Sequence, residues 1–548
     1  MSKVRPKVPS IPPRQQATTL PQRARADLQE AADSNLEKID HIVVVVLENR
    51  SFDHMLGYLS LPEGEPFHGR GRDDVDGLKG TEKNVIPGRL RVTAKVRARL
   101  EAPEPTPAFE VPEQYRDREF PIFRLDSTVF ADNPPHNGFR VSQQIGTEAN
   151  PMSGFALAFE AKATTLDAGM IMGYYTGDQL FAYDLFAEHF TVCDKWHASM
   201  PGPTWPNRMF LYAGTSGGIV NNVDLHVFDE VEGSILNYPP EFDTMPDRLI
   251  VDVLSDHHVD WKIYSHGWAW MRLFPKYLAF PRLLSPRIAK FKRFEKDCAN
   301  QKLPPVCFID PNFSDAGDED KANDDQAPTD VVHGQLLVAK IYDALHKHGY
   351  LKNTLLIVTY DEHGGFYDHV FPPLAPDHVE GQSDYLLRYG VRVPTMAISA
   401  WVPRRSASHM FFDHTSILKT ILKRFCPPGT FMTSRVDEAN HLGHLLTEEQ
   451  ARTDLPDVRS PAPPGGGIPE APLRPDEPIE GRPELPRLPD LPGLPNVPGL
   501  PDLPGLPNVP GLPDLHQPAA LRARNELSQV VNMARLALLR AGVPESEL

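Results

Sequence analysis

The stretch IVVVVLENRSFDH, residues 42–54, decides the fold. Its first six residues are aliphatic without polar alternation, which is typical of a parallel strand buried on both faces of a sheet. Glu48 and Asn49 follow that strand directly. Because ligands of open α/β sheets bind beyond the carboxyl ends of the strands, these oxygen-bearing side chains indicate a site for a hard cation. A capped strand end followed by an ordinary turn explains this stretch, taken alone, equally well.

A second stretch repeats the pattern. Residues 354–360, TLLIVTY, predict another buried strand, and DEHGGFYDH follows at residues 361–369. Two buried strands that each end in paired oxygen ligands are hard to explain by capping, so the functional interpretation is favoured here. A third apolar strand is predicted within residues 391–398, and the helical patterns at 180–189 and 331–349 complete an α/β fold.

Thr204 stands at a helix start. Gly202 and Pro203 predict a sharp turn, and a proline such as Pro206 is tolerated in the first turn of a helix. Free backbone N–H groups and the helix dipole favour a bound phosphate there and make a hydroxyl a better nucleophile. The alternative is that Thr204 only caps the helix, which is the commoner role. His136, in the turn 132–137, is by itself more typical of a loop residue.

The composition is that of a globular protein: 548 residues, 41% hydrophobic and 24% charged. A net charge of -17 disfavours a protein that coats nucleic acid. The chain has no apolar run of about 18 residues, the length of a membrane span. The first 40 residues contain no apolar signal core. We therefore expect a cytoplasmic protein, with export by a route that needs no such signal as the alternative.

The four cysteines, Cys193, Cys298, Cys307 and Cys426, show no metal-knuckle spacing, which favours reduced structural thiols. Cys298 and Cys307 are nevertheless near enough in sequence to pair in an oxidising compartment. The acidic stretch 315–325 predicts a solvated flexible loop, with cation binding as the alternative.

Four segments are predicted: an N-terminal extension (1–40), a catalytic domain (41–456), a proline-rich linker (457–517) and a C-terminal amphipathic helix (518–548). In the linker, built from PGLPDL and PGLPNV, residues 489–500 recur identically at 501–512. Proline at every third position indicates a polyproline II rod, either a spacer or a docking segment. The apolar face of the helix requires a partner surface, either its own domain or a second copy in a homo-oligomer.

Four motifs occur in a fixed order: ENRSFDH (48–54), GPTWPNR (202–208), DEHGGFYDHV (361–370) and DHTS (413–416). Together they closely resemble the bacterial phospholipase C and acid phosphatase phosphoesterase family, which includes the plant non-specific phospholipases C. The resemblance extends over about residues 42–456. It implies an alkaline-phosphatase-like three-layer α/β/α sandwich that hydrolyses phosphate esters through a covalent phospho-enzyme.

The resemblance also implies roles for individual residues. It assigns as metal ligands Glu48, Asn49, Asp361 and Glu362, and as catalytic residues Thr204, His136, His363 and His369. Thr204 is the implied nucleophile and His136 contacts the phosphate, while the other two histidines support the site or transfer protons. One divalent ion, calcium or zinc, is the implied cofactor. Threonine rather than serine as nucleophile looks more like the phospholipase C branch, whose substrate is a phospholipid at a membrane surface.

One position departs from the family pattern. The family usually has Asp-Asp-His-Pro-Pro before the helix at 331, whereas residues 324–328 here are DDQAP. Gln326 cannot transfer a proton near neutral pH, so turnover is expected to be slower or to use another histidine. The alternatives to a phospholipase C are a soluble acid phosphatase and a delivered interaction protein that uses the rod and terminal helix.

Overall fold

The computed structural model describes residues 22–88, 117–162, 166–222, 244–267, 269–278, 285–313, 322–376 and 387–458. The predicted terminal helix and all of the predicted linker after residue 458 lie outside the described residues, so both stay predictions. Among the described helices, none combines the length and hydropathy needed to cross a membrane.

An eight-stranded mixed sheet forms the centre of the fold. Its strands are β1 (His41–Leu47), β2 (Thr191–Cys193), β3 (Trp261–Ser265), β4 (Ile288–Lys290), β5 (Val306–Asp310), β6 (Thr354–Tyr360), β7 (Met396–Ile398) and β8 (Ser406–Ser408). They lie in the order β4-β3-β5-β1-β6-β7-β2-β8. Strand β7 is antiparallel to both of its neighbours, and the other pairs are parallel.

The register of β1 decides which side chains meet at the sheet edge. Leu47 lies opposite Tyr360 of β6, and Val45 lies opposite Ile309 of β5. The strands are parallel, so the residues that follow these pairs emerge at the same edge. Glu48, Asp361 and Asp310 are therefore brought together by backbone pairing alone.

Helices cover both faces of the sheet. They are α1 (Gln22–Asn35), α2 (Phe52–Leu56), α3 (Gly138–Ile145), α4 (Phe155–Glu160), α5 (Phe181–His189), α6 (Thr204–Ala213), α7 (Ile250–Asp256), α8 (Pro275–Leu278), α9 (Lys292–Ala299), α10 (Val331–Lys347), α11 (His414–Phe425) and α12 (Ser434–Glu438). Helix α10 packs against α5 and α9, whereas α11 packs against α6 and α12. Strand β6 is buried along its whole length, as a strand between two helical layers must be.

The predicted three-layer α/β/α sandwich is confirmed, and so are the strands at 42–47 and 354–360. The third predicted strand is shorter than expected. Only Met396–Ile398 joins the sheet, because residues 391–393 bond to the segment around Trp196 instead. Short strands outside the main sheet pair 83–86 with 118–121, 123–124 with 173–174, 146–147 with 150–151 and 196–197 with 412–413.

The prediction of a solvated acidic loop is wrong for the part that the structure describes. Asp324 and Asp325 are completely buried. The Tyr360 hydroxyl donates a 2.5 Å hydrogen bond to Asp325 Oδ2, and burial raises the pKa of Asp325 to about 7. The hydroxyl of a buried strand residue thus replaces the water that a surface carboxylate would bind.

All four cysteines are free thiols, as the reduced interpretation predicts. Cys298 and Cys307 are both buried and do not form a disulfide. Burial raises the pKa of the Cys298 thiol to about 12. These thiols therefore stay protonated and act as small apolar side chains in the core.

Candidate active site

The segments that follow β1 and β6 are bonded to each other. The Asn49 N–H donates to Asp361 Oδ1 at 3.0 Å, and the Arg50 N–H donates to the Glu362 carbonyl at 3.0 Å. All four side chains are buried. The two motifs thus form one rigid unit at the carboxyl edge of the sheet.

Close backbone approach makes this unit possible. Gly364 has φ of +62°, and a Cβ on it would lie 2.1 Å from the Asn49 carbonyl oxygen. Only glycine fits at that position. Asn49 itself has φ of +63°, in the left-handed region that asparagine tolerates better than most residues. Backbone strain of this kind is concentrated at functional sites.

Thr204 is the first residue of α6, and it does not cap that helix. Pro203 occupies the cap position, and no side chain caps there. The Asn207 amide donates to the carbonyls of Gly202 and Pro203 at 3.0 and 3.1 Å and so fixes the preceding turn. The Thr204 hydroxyl instead donates to Asn49 Oδ1 at 3.3 Å. The capping alternative is therefore excluded, and the hydroxyl points to the strand-end residues.

Arg208 also belongs to the site, although the sequence analysis of the motif GPTWPNR gave it no role. It follows Thr204 by one helical turn, so both lie on the same face of α6. Its guanidinium lies 3.3 Å from Glu48 Oε1 and 3.3 Å from Asp361 Oδ2. The spacing of four residues was the signal that could have identified it.

Glu362 is the most perturbed carboxylate of the site. Burial, with the adjacent Asp361 charge, raises the pKa of Glu362 to about 8. Its Oε2 accepts the Gly364 N–H at 2.7 Å. Its Oε1 has no hydrogen-bond partner within the described part of the chain, and His136 Nε2 lies 3.8 Å from it. This buried oxygen therefore has room for a ligand.

These residues fit a divalent cation. The two strand ends carry three buried carboxylates, Glu48, Asp361 and Glu362, and Arg208 forms ion pairs with two of them. The excess negative charge in a dry site favours a bound cation. An all-oxygen donor set suits a hard ion such as calcium, and zinc also accepts carboxylate oxygen.

His363 is held by Gln144 of α3. The Gln144 amide nitrogen donates to the Pro135 carbonyl at 2.7 Å, so its Oε1 is the acceptor for His363 Nε2–H at 2.9 Å. The other ring nitrogen, Nδ1, lies 3.2 Å from Glu362 Oε2. Burial lowers the pKa of His363 to about 3. Gln144 thus ties the His136 loop to the segment after β6.

His369 lies in a different cluster. Its Nδ1 donates to Asp53 Oδ2 at 2.7 Å, and its Nε2 lies 3.4 Å from Asp76 Oδ1. Burial opposes the charged ring, but Asp53 and Asp76 outweigh it and raise the pKa of His369 to about 10. Both ring nitrogens are thus engaged by this cluster rather than by Thr204 or the strand-end carboxylates.

Asp53, Asp368 and His369 each place one ligand atom within 4.8 Å of the others, so this cluster could also hold a metal ion. The Arg392 guanidinium already forms ion pairs of 3.0 Å with Asp53 and with Asp368. A cation in the cluster would have to compete with that charge. Within the described part of the chain only this cluster meets that ligand spacing, whereas the strand-end group offers the Glu362 oxygen that lacks a hydrogen-bond partner.

Two further segments support the strand ends. The Glu48 N–H donates to the Asp324 carbonyl at 2.7 Å, which places Gln326 close to the site. His414, from the DHTS motif, donates through Nε2 to the Asp361 carbonyl at 2.6 Å. The structure therefore brings all four motifs and the Gln326 loop together at the strand ends.

Comparison with known proteins shows which family this chain resembles. The model of the phosphoesterase family matches residues 39–426. Non-specific phospholipase C6 of Arabidopsis thaliana is 30% identical over 465 residues, which cover 81% of this chain and 77% of that protein. Non-specific phospholipase C1 of the same plant is 32% identical, over 72% of this chain and 69% of its own length. The haemolytic phospholipase C of Pseudomonas aeruginosa is 24% identical, over 74% of this chain and 55% of its own.

The Gln144 contacts predict a stability cost. Gln144→Leu should lower the free energy of unfolding by about 2–4 kcal/mol, because the Pro135 carbonyl and the His363 N–H lose a buried partner. Gln143→Leu is the matched control, since Gln143 is partly exposed and its side-chain oxygen accepts from the Arg140 guanidinium at 3.0 Å. Urea unfolding of both variants measures the difference. Equal costs for the two would contradict a buried clamp.

The His369 cluster predicts a pH dependence of stability. Because the folded pKa is raised above the ordinary value, the ion pair stabilises fully below about pH 6.5 and loses its effect as the pH rises towards 10. His369→Gln should therefore cost about 2–4 kcal/mol at pH 6 and much less at pH 9.5. Denaturant unfolding at both pH values tests this, with the half-exposed His409→Gln as control. A cost that is independent of pH would contradict the charged ion pair.

Proposed function

The chain belongs to the phosphoesterase family and is a hydrolase of phosphoric esters, and from this we propose that it is a phospholipase C with Thr204 as its nucleophile. The observation that carries this proposal is the Thr204 hydroxyl, which is free of a capping role and is aimed at Asn49 among buried carboxylates. The phospholipase C relatives, plant and bacterial, support a phospholipid as substrate.

Glu48, Asn49, Asp361 and Glu362 would hold the divalent ion, calcium or zinc. When bound there, such an ion polarises a phosphoryl oxygen and lowers the pKa of a nearby hydroxyl. Two further features of the chain set the electrostatics around these residues. Arg208 holds Glu48 and Asp361 in place, and the positive end of the α6 dipole lies at Thr204.

In the first step, the Thr204 oxygen attacks phosphorus and the bond to the diacylglycerol oxygen breaks, which leaves a phospho-threonine. In the second step, water cleaves that ester and releases the phosphorylated head group. His136 is suited to the proton transfers. Its Nδ1 is engaged with the Pro134 carbonyl at 2.7 Å, so Nε2, which faces Glu362, is the nitrogen that can exchange a proton.

His363 has a different role in this proposal. Its Nε2–H is committed to Gln144 and burial keeps the ring neutral. It therefore holds Gln144 and the His136 loop in place rather than carrying a proton. His369, in its separate ion cluster, supports the fold of the ENRSFDH and DEHGGFYDHV motifs.

The nucleophile assignment predicts a graded effect. Thr204→Ala should reduce release of phosphocholine from phosphatidylcholine by roughly three orders of magnitude or more, because the attacking oxygen is removed. Thr204→Ser keeps that oxygen and should retain measurable turnover. The assay uses the purified full-length chain in mixed micelles, before and after chelation, with calcium, zinc or manganese added back.

Three outcomes would contradict parts of the proposal. Thr204→Ala activity equal to that of the wild type would exclude this nucleophile. Faster hydrolysis of p-nitrophenyl phosphate than of lipid would favour a soluble phosphomonoesterase. Activity that survives complete chelation would exclude the proposed ion.

The departure at Gln326 predicts a gain of function. Gln326 is buried beside Asp324, whose Oδ1 accepts its N–H at 3.2 Å. Gln326→His should raise kcat for phosphatidylcholine by about tenfold, because a histidine there can protonate the leaving alkoxide. Gln326→Asn, which cannot titrate, is the matched control. An unchanged kcat in the histidine variant would mean that leaving-group protonation is already supplied elsewhere.

A further inference from the structure

Five large apolar side chains are exposed among the described residues, and three of them belong to segments that are bonded to parts of the catalytic site or to its neighbours. The three are Val129, Phe139 and Leu374, which we call the apolar rim. Single exposed apolar residues are common on protein surfaces. The position of these three relative to His136, the partly exposed member of the site, is what requires an explanation.

Phe139 lies closest to the site in the chain. It is the second residue of α3, three residues after His136, and its side chain is 70% exposed. The Gly138 N–H donates to Asn221 Oδ1 at 2.8 Å, and the neighbouring Asn222 Oδ1 accepts the Trp205 N–H at 2.8 Å. The start of α3 is thereby joined to the start of α6, where Thr204 lies.

Val129 belongs to a second segment. The carbonyl of the preceding Thr128 accepts the Val331 N–H at 3.2 Å, at the start of α10. That helix follows directly after the loop whose Asp324 carbonyl accepts the Glu48 N–H. The segment of Val129 is therefore joined through α10 to the Gln326 loop.

Leu374 belongs to a third segment. It forms a β-bridge with Arg388, whose guanidinium pairs with Glu148 at 2.7 Å, just beyond the end of α3. Three separate segments, each connected to the site or to α3, thus each carry one exposed apolar side chain. A site for a water-soluble ester has no need of such side chains.

We propose that the apolar rim inserts into the surface of a phospholipid bilayer and holds the site against the lipid head groups. This inference rests on the proposed phospholipase C function and adds the surface through which the enzyme meets its substrate. The Arg140 guanidinium lies 5.6 Å from the Phe139 ring centre. A cation beside an exposed aromatic ring suits the boundary between lipid phosphates and acyl chains.

A bilayer fits the rim better than a protein partner does. The exposed Asn137 and the partly exposed Arg140 flank Phe139 in the chain, so this apolar side chain has polar neighbours. A bilayer accepts separate side-chain insertions at one depth, whereas a helix or strand of a partner needs a continuous apolar groove.

The test compares Phe139→Ser with Phe431→Ser. Phe431 is 61% exposed and close in sequence to Thr433, whose hydroxyl donates to the Gly214 carbonyl at the far end of α6. Vesicles of phosphatidylcholine with phosphatidylglycerol are sedimented with each full-length protein in the presence of chelator. Hydrolysis of vesicle phosphatidylcholine and of soluble p-nitrophenyl phosphorylcholine is then measured.

Phe139→Ser should lower vesicle binding and vesicle hydrolysis by about tenfold and leave the soluble substrate within about twofold of wild type. Phe431→Ser should change none of the three. Leu374→Ser, on a separate segment, should show the same selective loss as Phe139→Ser. If both variants show the same selective loss, a folding defect in one of them cannot explain the result.

Vesicle binding by Phe139→Ser equal to that of the wild type would overturn the proposal, as would a wild type that does not sediment with vesicles. An equal loss on the soluble substrate in both rim variants would place these residues in the site itself and would also overturn it. Wild-type binding that depends on Phe139, without any lipid hydrolysis, would support the rim and refute the phospholipase C function.

Discussion

Three carboxylates, Glu48, Asp361 and Glu362, are held inside the protein beside the single guanidinium of Arg208, and the rest of the site follows from that constraint. Burying a carboxylate without a partner costs several kcal/mol, so such a group needs a compensating charge or a proton. Arg208 contacts Glu48 and Asp361, whereas Glu362 is left with a pKa of about 8. The divalent cation proposed for this site would balance the charge without protonation of Glu362.

Rigid surroundings hold these buried charges in place. The paired register of β1 and β6 fixes the backbone on both sides, and Gly364 allows the two following segments to touch. Asn207 holds the turn before Thr204, and Gln144 holds the loop that carries His136. Each of these residues acts through the backbone or through another side chain. Positioning on this scale matters because displacements of about 1 Å can reduce catalysis strongly.

The sequence predicted the strands and the oxygen-rich strand ends because these depend on local patterns, whereas the three-layer sandwich was implied by the resemblance to the phosphoesterase family. Uniform aliphatic runs specify buried strands, and polar residues directly after them specify the edge. The contact between Thr204 and Asn49 could not be read locally, since it joins residues 155 positions apart. The burial of Asp325 could not be predicted from the sequence for the same reason. Its tyrosine partner, Tyr360, belongs to a distant strand, so composition alone indicated a solvated loop.

Strand β5 shows a second limit. VCFID is too short to stand out by periodicity, yet its register against β1 brings Asp310 to the site, 4.0 Å from Arg208. Histidines show a third limit, because one residue type occupies three environments within one motif and a loop. His363 is neutral through burial, His369 is charged through Asp53, and His136 presents a ring nitrogen beside the orphaned oxygen of Glu362. The sequence alone does not distinguish the roles of these three histidines. Their partners, which only the fold brings together, give the three histidines different environments, and the proposal that His136 transfers protons rests on that difference.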